Sequence, residues 1–238
     1  MQGTCRIIWK DLDMPLVEHP AAPAKAPIYI VANARSGHLG QDQRLEPIEQ
    51  TLRAAGRPFE ILKVGRAGEL GDAARRAAEL ARRHAGIVAV AGGDGTINAV
   101  VPEVITAGVC LGVIAQGTFN LFARNYGLPL DVAQATEVVL GGHPIPVQVG
   151  TVNEHLFLVN ASVGLYPRLL QDREHFKRRF GRNRLVAVVS ALVTMIHRYR
   201  PLRLRVQVDA AAPRTMHTPT LFVGNSFATE RHRHRGGG

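Results

Sequence analysis

Three glycines around one carboxylate, Gly92-Gly93-Asp94-Gly95, followed by Thr96, Ile97 and Asn98, close an apolar run of Val88, Ala89, Val90 and Ala91. The chemistry open to this pattern is anion binding. Glycine tolerates positive φ and puts no Cβ between backbone N–H groups and a phosphate, and the helix that follows adds the positive end of its dipole. Thr96 is placed to cap that helix or to donate to a phosphate. Asp94 has functional readings as a proton acceptor or metal-linked ligand, and a structural reading as a turn residue bonding nearby backbone N–H groups. A strand-to-helix turn also needs glycine and a cap for purely structural reasons, so this one gains meaning from its company.

A second turn of the same kind lies about twenty residues on, where Leu111, Gly112, Val113 and Ile114 lead into Ala115-Gln116-Gly117-Thr118-Phe119-Asn120, ahead of Ala123 and Arg124. A third polar turn, Asn33-Ala34-Arg35-Ser36-Gly37, follows the apolar Ile28, Tyr29, Ile30 and Val31. Parallel strands of an α/β sheet end on one edge, so the three turns are expected to face one crevice, where open sheets of this kind bind ligands. No GxxxxGK[ST] and no strand-borne GxGxxG occurs, which removes the P-loop and the dinucleotide fingerprint. Arg124 has two readings, neutralising phosphate charge or standing solvated on its helix.

The combination resembles the catalytic domain of the diacylglycerol kinase and lipid kinase family, which includes sphingosine kinases and bacterial lipid kinases. The matching residues are Asn33, Ser36 and Gly37 of an N-P-x-S-G-like turn, Gly92 to Asn98 as G-G-D-G-T-x-N, and Gly117, Thr118, Asn120, Ala123 and Arg124 as G-T-x-N-x-x-A-R. NAD kinases share G-G-D-G-T, but the second turn follows the lipid kinase pattern. The resemblance implies an ATP-dependent kinase that moves the γ-phosphoryl group to a lipid hydroxyl at a membrane surface, with Mg²⁺. Gly92, Gly93, Gly95 and Thr96 would then hold phosphates, with Thr118 and Asn120 opposite. Asn33, Ser36, Gly37, Ile97, Asn98 and Gly117 would belong to the same nucleotide site, and Asp94 would be its catalytic carboxylate. No residue is singled out as a metal ligand.

Three departures qualify the resemblance. Ala34 stands where the family has Pro, losing a rigid φ but no donor. Gln148 occupies the Asp position of a D-x-G-x-V pattern, keeping hydrogen bonding but losing the charge that organises Mg²⁺. Beyond Leu221-Phe222-Val223-Gly224-Asn225 the family continues into D-G-x-L and D-G-E segments that this sequence lacks. A truncated or frame-shifted product from about Phe227 is therefore expected, as is a second reading of the chain as a catalytically incomplete nucleotide-binding protein. NAD kinase is the third reading.

These turns need a sheet with helices to hold them. Leu45, Ile48 and Leu52 recur at helical spacing within 43–55, which stops at Gly56. Strands are expected at 59–64, 87–91 and 110–114, and helices at 71–84, 96–107, about 118–126 and 131–140, which together predict an α/β fold with a parallel sheet and helices on both faces. The texture then changes. Segments 145–152 and 155–161 read as a hairpin around Asn153-Glu154, a helix covers about 168–198, and strands follow near 202–208 and 220–223. The expected domains are a linker at 1–27, a nucleotide-binding domain at 28–142, a partial β-rich domain at 143–226 and a disordered basic tail at 227–238.

The chain has 238 residues and a formal net charge of +10. Residues 1–167 carry 14 Lys and Arg against 15 Asp and Glu, whereas residues 168–238 carry 15 against 4. The basic block brackets the apolar run 185–196, an order that suits an anionic membrane surface or a core-facing helix with solvated flanks. No stacking platform or motif for nucleic acid accompanies it, so that partner is not expected. The run is too short to span a bilayer, and 1–10 has no signal-peptide pattern. With Cys5 and Cys110 expected as free thiols, the expected location is the cytoplasm, peripheral at the membrane. Oligomeric state is open. His232 and His234 in the Arg-His tail are weak evidence for a metal.

Overall fold

The structure, a computed structural model, describes residues 7–8, 25–33, 41–153, 155–164, 201–207 and 211–225. The chain divides into two units, one running to Val159 and resuming at Asn225, the other formed by Asn160–Gly224.

In the first unit, alternating apolar residues build a parallel sheet buried on both faces. Its strands are β2 (Ile28–Asn33), β3 (Phe59–Val64), β4 (Ile87–Gly92) and β5 (Leu111–Ala115), in the order β3-β2-β4-β5. The short β1 (Ile7–Ile8) lies outside this sheet. Tyr29, Val31, Val88 and Val90 turn to one core, while Ile28, Ile30, Ala32, Ile87, Ala89 and Ala91 turn to the other. Near-continuous apolar strands are what two covered faces require.

Helix α1 (Gln41–Ala54) and helix α5 (Val132–Gly141) cover one face, and α2 (Leu70–Arg83) and α3 (Asp94–Ala107) cover the other. Ala74, Ala77, Ala78 and Ala81 form the buried stripe of α2, and methyl-sized side chains at this spacing let the helix approach the sheet closely. Gly108, at φ 65°, ends α3 with its N–H on the Ile105 carbonyl. Asp131 starts α5, its Oδ1 accepting from Gln134 N–H at 2.9 Å. The five-residue α4 (Leu121–Asn125) lies between β5 and α5.

Strand β1 pairs antiparallel with β6 (Gly150–Val152), which forms a hairpin with β7 (His155–Phe157) around Asn153 at φ 47°. Asn225 returns to this unit: its N–H donates to Val159 O at 2.6 Å, and its Nδ2 donates to Gln148 O at 2.7 Å and Leu158 O at 3.0 Å.

Among the described residues the second unit shows two antiparallel pairs. Strand β8 (Asn160–Gly164) pairs with β11 (Thr220–Gly224), and β9 (Leu202–Val206) pairs with β10 (Arg214–Thr218).

Several expectations shift. The strand expected at 145–152 is regular only from Gly150, because Pro144 and Pro146 have no N–H to give to a ladder. Strand β10 was not expected, since Arg214-Thr215-Met216-His217-Thr218 has no apolar alternation. Helix α3 begins at Asp94, two residues before the expected start, with Gly93 at its N-cap. The hairpin falls with the sheet unit, where Asn98 Nδ2 donates to Leu156 O at 3.1 Å and Leu158 joins the core. The expected helix at 168–198 and the basic tail at 227–238 lie outside the described residues. Among the described residues no helix is long and apolar enough to cross a membrane.

Candidate nucleotide site

Parallel register brings three strand ends to one edge. Ala32 of β2 lies beside Ala91 of β4, and Gly92 beside Ala115 of β5, so Asn33 and the two glycine turns leave the sheet together. Asn33 Nδ2 donates to Thr96 Oγ1 at 3.0 Å, tying the end of β2 to the first turn of α3. Ser36 and Gly37 lie outside the described residues.

The two glycine turns touch through backbone. A Cβ built on Gly117 would sit 2.6 Å from Gly93 Cα, closer than a side chain tolerates, and one on Gly93 would sit 3.0 Å from Gly117 Cα, which would force the facing backbone to shift. Gln116 N–H donates to Gly92 O at 2.9 Å, and Gln116 Nε2 donates to Arg44 O at 3.1 Å, which ties the second turn to α1. Asn120, at φ 51° and buried, closes the second turn by accepting from Gly117 N–H at 2.7 Å through Oδ1. Asparagine is one of the few non-glycine residues that adopts this left-handed conformation readily.

Asp94 bridges the turns. Its Oδ2 accepts from Leu121 N–H at 3.1 Å and its Oδ1 from Phe122 N–H at 3.0 Å. Both bonds are charge-assisted, and they satisfy donors at the start of α4 that the helix itself leaves open. Of the two readings of this carboxylate, backbone bonding is the one this geometry displays. Its partners, however, lie on the second turn rather than its own.

The other expected site residues separate into two groups. Thr96 is 4% exposed with its hydroxyl turned to Asn33, and it sits inside α3 rather than at its cap. Ile97 packs in the core, and Asn98 reaches the β7 hairpin. Gly95 and Thr118, in contrast, are exposed, and nothing lies within 4 Å of a Cβ built on Gly95. The Thr96 and Ile97 N–H groups donate to Gly93 O at 2.9 and 3.1 Å, so the donors that the start of α3 presents at this opening, together with its positive dipole end, are the N–H groups of Asp94 and Gly95. The arrangement can hold an anion on backbone N–H groups. Sequence reasoning missed the contributions of Leu121, Phe122 and Gln116, because two act through backbone N–H groups, which leave no mark on residue type.

Among the described residues no cluster of three or more His, Cys, Asp or Glu converges on a metal position. Mg²⁺ commonly binds through nucleotide phosphates and few protein carboxylates, and only that manner of binding fits the residues described here.

Comparison with known proteins gives a consistent answer. Residues 27–152 match the diacylglycerol kinase catalytic domain. A diacylglycerol kinase of Bacillus subtilis is 34% identical over 184 residues, covering 76% of this chain and 59% of the relative. A probable YegS-like lipid kinase of Cronobacter sakazakii is 32% identical over 142 residues, covering 57% of this chain and 45% of the other. The chain spans about half the length of the curated relatives it matches. A crystal structure of a diacylglycerol kinase from Bacillus anthracis aligns with 84% of this chain and 64% of its own at TM-score 0.63 and 23% identity, which shows a shared fold. With the family match covering more than half of its 238 residues, the chain belongs to the diacylglycerol kinase catalytic domain family.

Proposed function

We propose that the chain binds the phosphates of ATP where the two glycine turns meet and passes the γ-phosphoryl group to the hydroxyl of a membrane lipid, with diacylglycerol as the first candidate. The observation that carries this reading is the backbone contact between Gly93 and Gly117, which makes one cradle of two turns. The N–H groups at the start of α3 and the exposed Thr118 hydroxyl would hold the phosphates. Asn33, Asn120 and Asp94 would fix the backbone that presents those donors, and Ser36 and Gly37 would extend the cradle from the third turn. Phosphoryl transfer asks mainly for positioning and charge neutralisation, and Mg²⁺ would neutralise charge on the phosphates when the nucleotide binds. The basic block beyond residue 168 would favour a peripheral approach to an anionic bilayer.

A second reading, nucleotide binding without transfer, is favoured by one observation. Both carboxylate oxygens of Asp94 are engaged by backbone N–H groups, and an exposed Gln148 stands at the family's Asp position.

Calorimetric titration with a non-hydrolysable ATP analogue and Mg²⁺, run beside Gly93→Val, tests the site. Labelled-phosphate transfer to diacylglycerol in anionic micelles tests the reaction. Binding lost in the variant together with transfer by the wild type supports the kinase. Binding without transfer selects the second reading, and a folded wild-type chain that binds no nucleotide removes both.

A further inference from the structure

Helix α4 carries the second glycine turn into the rest of the sheet unit, yet at five residues, Leu121–Asn125, it is too short to stand by itself. Asp94 takes the N–H groups at its start. At its other end stands Tyr126, whose N–H donates to Phe122 O at 3.2 Å and whose ring stacks on the Phe122 ring with centroids 4.8 Å apart. Phe122 is therefore gripped twice, its N–H by Asp94 and its ring by Tyr126.

The stack needs only an aromatic ring, and the phenol oxygen of Tyr126 has a separate engagement. It accepts from the Gln148 N–H, which works against the rise in the phenol pKa that burial causes. The Gln148 carbonyl in turn accepts from Asn225 Nδ2 at 2.7 Å. Gln148 lies in the irregular stretch ahead of β6, which begins at Gly150, so its backbone has no strand ladder and is held by two side chains instead. Asn225 is buried and also bonds the Leu158 and Val159 carbonyls, which roots this anchor in the core.

We propose that Tyr126 is a positioning residue of the nucleotide cradle: its hydroxyl pins α4 to Gln148, which keeps Phe122 aligned on Asp94 and the second glycine turn closed on the first. The role rests on the cradle being an ATP site. Contacts run without a gap from Asn225 through Gln148, Tyr126 and Phe122 to Asp94, whose own N–H is one of the donors at the opening. A residue that touches no ligand alters affinity through packed and hydrogen-bonded groups of this kind when they hold the binding backbone in place.

The test is calorimetric titration of the full chain with a non-hydrolysable ATP analogue and Mg²⁺. Tyr126→Phe keeps the stack, removes only the hydroxyl, and should weaken nucleotide binding about threefold or more. Gln148→Pro, in a stretch that already carries Pro144 and Pro146, removes the same bond from its donor end and should weaken binding too, with no further loss when the two are combined. Asp131→Ala removes the cap of α5 and is the control for lost stability alone; its nucleotide affinity should equal that of the wild type. Wild-type affinity in Tyr126→Phe, an equal loss in Asp131→Ala, or losses that multiply in the double variant would overturn the role of Tyr126 while leaving the ATP site standing. A folded wild-type chain that binds no nucleotide removes both.

Discussion

Asp94 illustrates how little a residue's type says about its partners. As a carboxylate in a glycine turn it can serve as a base, a metal ligand or a backbone acceptor, and the structure holds its two oxygens on Leu121 and Phe122 N–H groups. Asp94→Asn replaces one acceptor with an amide donor facing a backbone donor. Hydrogen bonds to charged groups are worth about 1.5–3 kcal/mol each, and partial exposure places the expected loss for the pair in the lower half of that range. Urea unfolding would read the loss, and calorimetry should show weaker nucleotide binding in parallel, because the second turn loses its anchor. Full stability and full affinity with turnover abolished would instead identify Asp94 as the base. The candidate site was legible in the sequence as a set of turns, since Gly93, Asp94, Gly117 and Asn120 all lie where strand ends meet. What was not legible was the direction of the side chains. Thr96 and Asn98 look like ligand donors by type, yet each bonds a group that lies 58 or more residues away in the chain.

The elements were read well wherever local pattern and burial agree. Strand β3 at Phe59–Val64 and helix α5 at Val132–Gly141 follow from apolar spacing bounded by punctuating residues. Patterning failed where neighbouring chemistry intervened. Ile145, Val147 and Val149 alternate as a strand should, but the prolines between and before them remove the N–H groups that would pair. The cap of α5 offers a clean measurement. Asp131→Ala removes the acceptor for Gln134 N–H and should cost about 1 kcal/mol, seen as a lower urea midpoint with an unchanged slope.

At the scale of the whole molecule, the first unit is interrupted in sequence and continuous in space. Val159 and Asn225 flank the second unit and are joined by a hydrogen bond of 2.6 Å. Excising 160–224 and bridging the ends with a short Gly-Ser loop of about two to four residues should leave a cooperatively folding sheet unit that retains nucleotide affinity. Thermal unfolding and calorimetry of the shortened chain check this, and a non-cooperative melt would show that the sheet unit does not stand alone. Asn225 also imposes an order of events on biosynthesis. The Gln148 and Leu158 carbonyls receive their amide only from a residue 77 and 67 positions later. On the ribosome, therefore, the sheet and its helices emerge and pack first, and the β6–β7 edge waits for the whole inserted unit to be translated before its last bonds close.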